Sequence, residues 1–188
     1  KIDKLCPSFH VSMQSGCDET LKSMNRRYTS KEYLEAIGRL RNAFEDCAIT
    51  TDVMVGFPGE TDEEFEKSCD TVKKAAFASI HVFQYSRREG TPAADMKDQV
   101  PNAVKAMRSA KMIKLGEELK YNFIQQYMGK TMEVLFECQS GEYFEGFTSN
   151  YIKVMAKGSD LSNKYAKVLL TDCKDGVCYG EIVGGELC

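Results

Sequence analysis

Several things are scarce or missing in this 188-residue sequence, and each absence closes off a class of protein. No run of apolar residues approaches the roughly 20 needed to cross a bilayer as a helix. No signal peptide is visible, so a cytoplasmic protein without a membrane partner is expected. Charge of neither sign dominates: 25 Lys and Arg stand against 28 Asp and Glu, a net −3. The global basic footprint of a nucleic-acid-binding protein is therefore absent, and any RNA contact has to come from local patches. Splitting the chain does not change this. Residues 1–127 carry 19 basic and 19 acidic side chains, and residues 128–188 carry 6 and 9. Eight cysteines are present, but none has the two- or three-residue spacing of zinc or iron–sulfur ligands. The two histidines form no Ser-His-Asp or Cys-His arrangement that spacing supports.

What is present is an ordinary globular balance, 43% apolar and 28% charged, which argues against disorder. The first two-thirds alternates strand and helix patterns. Residues 7–13 read as a strand and residues 18–25 as a short helix. Leu34, Ile37, Leu40 and Phe44 recur at helical spacing over 30–45. Thr29 with Glu32, and Thr61 with Glu64, have the spacing of capping boxes. Ala48 to Val55 and Ile80 to Phe83 read as strands, with a helix between them that buries Phe65, Cys69 and Val72. This order implies parallel pairing with crossover helices. Pro101 suits the first position of a long helix reaching about Tyr127. After Met128-Gly129 the pattern changes to five short strands near 131–138, 143–148, 151–155, 165–170 and 177–183, separated by turn residues. Such a run suggests a small β-barrel. The domain boundary is therefore expected between 127 and 128. Cys173 and Cys178 bracket a hairpin turn and could face each other across it.

Parallel sheets bind ligands beyond the C-terminal ends of their strands, and three loops qualify. Gln14 and Ser15 offer polar groups in the first, although such residues also cap helices. In the second, Gly56-Phe57-Pro58-Gly59 follows a buried strand, where glycine lets backbone approach a flat ligand and Phe57 could pack on a ring. A tight turn with a helix cap explains the same residues equally well. Asp52 is a carboxylate inside an apolar strand, costly unless paired or functional. In the third, Arg87 and Arg88 beside Tyr85 suit phosphate or carboxylate recognition, or a solvated loop. His10 and His81 are expected to be hydrogen-bonded core histidines.

Three runs are far more specific together than singly. They are His10 through Leu21 with Met24-Asn25-Arg26-Arg27-Tyr28-Thr29, then Thr50 through Thr61, then Tyr85 through Ala94 with Asp98-Gln99-Val100-Pro101. In order and spacing they resemble the radical SAM methylthiotransferase family. The β-rich tail resembles that family's TRAM domain, a small RNA-binding barrel. The fold implied is α/β: the C-terminal half of a radical SAM partial (β/α) barrel over residues 1–127, then a TRAM-like barrel over 128–188. The family uses S-adenosylmethionine and two 4Fe–4S clusters to add a methylthio group to an adenosine beside the tRNA anticodon, or to a ribosomal-protein aspartate. Gln14-Ser15-Gly16-Cys17-Asp18-Glu19-Thr20 and Ser86-Arg87-Arg88-Glu89-Gly90-Thr91-Pro92 look closest to the threonylcarbamoyladenosine branch.

The family's cluster-binding cysteine triplets do not occur in these residues. The sequence opens at Lys1 rather than Met, and the expectation is a C-terminal piece whose cluster ligands lie upstream and which is inactive alone. By motif, the resemblance implies that Gln14, Ser15, Asp52, Gly56, Phe57 and Pro58 contribute to the S-adenosylmethionine pocket. Arg26, Arg27, Arg87 and Arg88 are expected at the tRNA substrate, with Tyr151 and Lys153 as RNA contacts on the barrel. A barrel of net −3 should not attract phosphate at long range, so it could instead mainly brace the fold. Rival readings are a non-catalytic RNA- or protein-binding module, the isopentenyladenosine or ribosomal-protein branches, and a different radical SAM enzyme. A cut parallel sheet should expose backbone edges and an apolar inner face, so self-association is expected.

Overall fold

The structure, a computed structural model, describes residues 5–184. The chain divides into two compact units. One comprises residues 9–45 and 49–119; the other unites residues 5–8, 46–48 and 120–184.

The first unit is built on a three-stranded sheet in the order β1 (Ser8–His10), β2 (Ala48–Val55), β3 (Ser79–Gln84). β2 and β3 run parallel, with Thr50 opposite Ser79 and Val55 opposite Gln84. The first strand is shorter than its pattern suggests. It ends at His10; the Val11 amide still donates to the Thr50 carbonyl, and Gln14 then bridges Val53 in parallel. Helices α1 (Asp18–Ser23) and α2 (Ser30–Ala43) precede β2, and α3 (Asp62–Ala75) links β2 to β3. Both capping boxes form. Thr29 Oγ1 accepts the Glu32 amide while Glu32 accepts the Thr29 amide, and Thr61 and Glu64 do the same. Each satisfies two amides that a helix start otherwise leaves unpaired.

β2 alternates as a strand with one covered face should. Ile49, Thr51, Val53 and Val55 are buried, while Thr50, Asp52 and Met54 are partly exposed. The stripe of α3 is buried at Phe65, Cys69 and Val72 as expected. The stripe of α2 is rotated from expectation. Tyr33 and Ile37 are buried, while Leu34, Leu40 and Phe44 are only partly so. The cause is the Tyr33 hydroxyl, which donates to the Val11 carbonyl at 2.5 Å and lies 3.4 Å from Thr51 Oγ1, an aromatic with a polar tip reaching into the sheet.

A single short turn, α4 (Pro92–Asp95), leads to the long α5 (Asn102–Gln125). Pro101 is the residue before α5 rather than its first, and its carbonyl accepts the Lys105 amide.

The second unit is a closed five-stranded barrel in the order β4 (Thr131–Ser140), β5 (Tyr143–Thr148), β6 (Lys153–Ala156), β8 (Val177–Gly184), β7 (Lys164–Lys174). All neighbours are antiparallel except β6 and β8. Val134, Phe136, Val154, Val168 and Leu170 fill its core, joined by Ile124 and Tyr127. The end of α5 therefore packs with the barrel core. At Gly146 an added Cβ would stand 2.3 Å from the Leu135 carbonyl oxygen, so only glycine lets β5 approach β4 there. Cys173 and Cys178 do face each other in register, both as free thiols. Burial, with Cys173 as neighbour, pushes the Cys178 thiol well above its usual range.

Candidate functional site

The partly exposed face of the three-stranded sheet carries a polar cluster centred on Asp52. One carboxylate oxygen, Oδ2, lies 3.2 Å from His10 Nε2 and accepts the Ser12 hydroxyl at 3.2 Å. The other, Oδ1, lies 3.3 Å from His81 Nδ1. His10 Nδ1 in turn lies 3.0 Å from Thr50 Oγ1. The parallel register puts Asp52 directly opposite His81, which is why the two meet. Burial opposes ionisation of Asp52, but the hydrogen bonds from His10, Ser12 and His81, with the charge of His10, outweigh it. They hold the carboxyl below its usual range. The histidines are hydrogen-bonded, as expected, but they are not core residues. Their side chains are 52% and 75% exposed. The face expected to be apolar is thus largely polar, with Met54 and Phe83 its partly buried apolar members.

Gln14 sits at the edge of this cluster in the left-handed backbone region, φ 64°. Its amide donates to the Asp52 carbonyl, its carbonyl accepts the Met54 amide, and its side chain donates to Ser12 Oγ at 2.5 Å. Ser15 presents no surface: it is fully buried, and its hydroxyl oxygen accepts the Cys17 amide at 3.2 Å.

The Gly56-Phe57-Pro58-Gly59 loop is fixed from beneath by residues that sequence reasoning did not single out. Gly56 has φ 72°, and an added Cβ would lie 2.4 Å from Lys105 Cγ. Its amide donates to Glu60 Oε2 at 2.6 Å. Arg108 on α5 donates to the same carboxylate oxygen at 2.8 Å, to the Glu60 carbonyl at 3.0 Å, and to Asp62 Oδ1 at 2.7 Å. Burial pushes the Glu60 carboxyl up despite the Gly56 amide and the Arg108 charge. Lys105, one helical turn before Arg108, donates to the Tyr85 carbonyl at 3.1 Å and so ties the loop after β3 to the same helix. Phe57 is buried with its ring edge-on to Tyr85, centroids 5.4 Å apart, so that pair is committed to each other. Pro58 is buried as well. The signal available in sequence was Lys105 and Arg108 at a three-residue spacing, polar residues on a helix face that packs inward.

Arg26, Arg27, Arg87 and Arg88 are all exposed, and none of them enters an ion pair among the described residues. Arg88 lines a cavity of about 270 Å³ at the end of β3 with Met54, Phe83, Tyr85 and Thr91. On the barrel, Tyr151 is 70% exposed. Lys153 is paired with Glu145 at 2.8 Å. Among the described residues no group of three His, Cys, Asp or Glu could hold a metal ion. No helix among them is long and apolar enough to cross a membrane.

The family model of the radical SAM superfamily matches residues 2–72. The chain is 40% identical over 185 residues to a tRNA-2-methylthio-N(6)-dimethylallyladenosine synthase of Caldicellulosiruptor saccharolyticus, covering 97% of this chain and 39% of that protein. It is 39% identical over 187 residues to the threonylcarbamoyladenosine tRNA methylthiotransferase MtaB of Bacillus subtilis, covering 96% of this chain and 41% of that protein. A synthase of the first kind from Acidothermus cellulolyticus is 48% identical over 129 residues, 69% of this chain and 26% of that protein. Over nearly all of its length the chain is thus similar to tRNA methylthiotransferases, and its residues 2–72 match the radical SAM superfamily. It spans about two-fifths of the length of the first two relatives.

Proposed function

We propose that this chain forms part of a tRNA methylthiotransferase that acts on N6-threonylcarbamoyladenosine beside the anticodon. The observation that carries the reading is the identity of about 40% to tRNA methylthiotransferases over nearly all of this chain, combined with the three loop motifs, which fall at the ends of β1, β2 and β3. The two substrate branches have nearly equal identity to this chain. The Gln14-to-Thr20 run and Ser86-Arg87-Arg88-Glu89-Gly90 favour the threonylcarbamoyladenosine branch, because the isopentenyladenosine branch usually has Ser-Pro-Arg at the latter site. In this reading the α/β unit is the C-terminal half of a partial barrel and the β-barrel is a TRAM domain, with the working division near 127/128.

The residues fit the two cofactors differently. Among the described residues no group of three His, Cys, Asp or Glu could ligate a metal, so no step is assigned to an iron–sulfur cluster here. S-adenosylmethionine, which supplies the group-transfer chemistry when bound, fits the polar face. Asp52 with His10 offers an acceptor and donors, and Gln14 lies at the rim. Gly56, Phe57 and Pro58 then shape the pocket floor instead of reaching the cofactor, because the Gly56 amide is already given to Glu60 and the Phe57 ring to Tyr85. Ser15 acts by setting the first loop. The exposed arginines 26, 27, 87 and 88 have free guanidinium groups suited to tRNA phosphate; Tyr151 contributes on the barrel, and Lys153 only by leaving Glu145.

Anaerobic reconstitution of the 188-residue chain with iron and sulfide, followed by an assay with S-adenosylmethionine and unmodified tRNA, tests the reading. No cluster absorbance and no product are expected, while S-adenosylmethionine binds and Asp52→Asn weakens it. Binding unaffected by Asp52→Asn would remove the polar face from the account.

A further inference from the structure

The outward face of the barrel carries a row of apolar and aromatic side chains across three neighbouring strands. Leu135 on β4 stands opposite Phe147 on β5 and Tyr165 on β7. Tyr151, in the β5–β6 turn, lays its ring against Phe147 with centroids 5.5 Å apart. Tyr165 is 47% exposed and Tyr151 70%. Glu133 and Glu137 flank Leu135, and all six residues line one cavity of about 790 Å³. That is within the size range of small-molecule sites.

Tyr151 is held there at a backbone cost. It has φ 64°, a region that glycine or asparagine occupies far more readily than a bulky residue. The turn around it is held by hydrogen bonds. Thr148 Oγ1 donates to Asn150 Oδ1 at 2.6 Å and accepts the Ile152 amide at 2.9 Å. Asn150 is buried and donates to the Asp46 carbonyl at 3.2 Å. A strained, exposed aromatic on a fixed support is a presented group.

The surroundings say what it is presented to. Lys153, opposite Phe147, is bound to Glu145, and Lys167 stands opposite Glu133. With carboxylates lining the cavity and nearby lysines facing carboxylates of their own, the face disfavours phosphate. Aromatic rings accept any base by its π-face, and a carboxylate accepts paired N–H donors. Guanine is the base whose imino and amino groups lie side by side on one edge. We propose that this face binds one unstacked guanine of single-stranded RNA, stacked on Tyr151 and Tyr165 with its N–H edge on Glu133 or Glu137. The inference deepens the tRNA reading and rests on it for the source of the RNA. It also answers how an acidic barrel can grip RNA, by holding a base in place of the backbone.

The test titrates the 188-residue chain with a labelled pyrimidine hexaribonucleotide containing one central guanosine, against the same hexamer with inosine or with pyrimidine only, at several salt concentrations. The guanosine hexamer should bind about tenfold more tightly than the all-pyrimidine one, with inosine between them. Its salt slope should be no steeper than about one phosphate contact. Tyr151→Asn should bind about tenfold more weakly without a lower melting temperature, since asparagine suits the left-handed backbone. Glu133→Gln with Glu137→Gln should erase the guanosine preference. Binding untouched by Tyr151→Asn, a steep salt slope without base preference, or dimerisation through this face in place of RNA binding would each overturn the proposal. An anticodon stem–loop that binds the chain normally while the guanosine hexamer does not would sink this inference and leave the tRNA reading standing.

Discussion

Arg108 donates to the Glu60 carboxylate at 2.8 Å across 48 positions of sequence, and both side chains are almost fully buried, at 4% and 1% exposure. The pair locks the start of α3 and the Gly56 amide to α5. Removing one partner leaves an uncompensated buried charge, so Arg108→Met should destabilise the first unit by about 3–5 kcal/mol. Glu60→Gln should cost less, because Arg108 keeps Asp62 and because burial already pushes the Glu60 carboxyl up. Urea unfolding of the two variants checks the order, and equal losses would contradict it. The sign of the pH effect follows from the raised carboxyl. Glu60 contributes less stability as pH rises from its unfolded pKa through its folded one, and Glu60→Gln removes that slope.

Gly56 and Lys105 occupy the same space. Gly56→Ala must hold a left-handed backbone and displace Lys105 from the Tyr85 carbonyl, a combined loss of about 2 kcal/mol. In a double-mutant cycle with Lys105→Ala the two losses should be less than additive, since the shorter side chain makes room. Strict additivity would mean that the Gly56 requirement is backbone conformation alone.

Asp52 has the opposite sign from Glu60. Its carboxyl is held below the usual range, so its contribution is fully present above the unfolded value of about 3.9 and is lost as pH falls through the lower folded value. His10→Ala should move the Asp52 titration upward, as followed by carboxyl carbon NMR. His81→Ala should do the same to a smaller extent, because His81 acts through its hydrogen bond alone while His10 adds its charge. An Asp52 titration unchanged in both variants would show that the histidines do not face it in solution.

β3 is the outer strand of its sheet and leaves one edge unpaired within it. Self-association of the isolated chain through that edge is expected, though more weakly than an apolar sheet face would give, because His10, Asp52 and His81 are polar. Light scattering that shows a clean monomer at roughly tens of micromolar would contradict it.

Local signals carried most of the fold. The spacing of Thr29 with Glu32 and of Thr61 with Glu64 placed both helix starts, and β2 ran from Ala48 to Val55 as its β-branched run implied. Turn residues mark all five barrel strands, but the sequence pattern puts Tyr151 at the start of β6 while its positive φ places it in the turn; nothing in the letter Tyr signals that. Asp52 stood out as a carboxylate in an apolar strand, yet its partners did not, because His10 and His81 meet it only through parallel register between distant segments. Glu60, Lys105 and Arg108 escaped for the same reason. A buried ion pair separated by 48 positions has no local signature, and charged residues on a helix read as solvated until the helix is seen to pack over a loop.

The most direct test of the central claim is nucleoside mass spectrometry of total tRNA from the encoding organism before and after disruption of the gene for this chain. Loss of the methylthio form of threonylcarbamoyladenosine, with its unmethylthiolated precursor accumulating and methylthio-isopentenyladenosine unchanged, is the predicted result. Retention of the first nucleoside with loss of the second would move the protein to the other branch, and retention of both would contradict the assignment altogether.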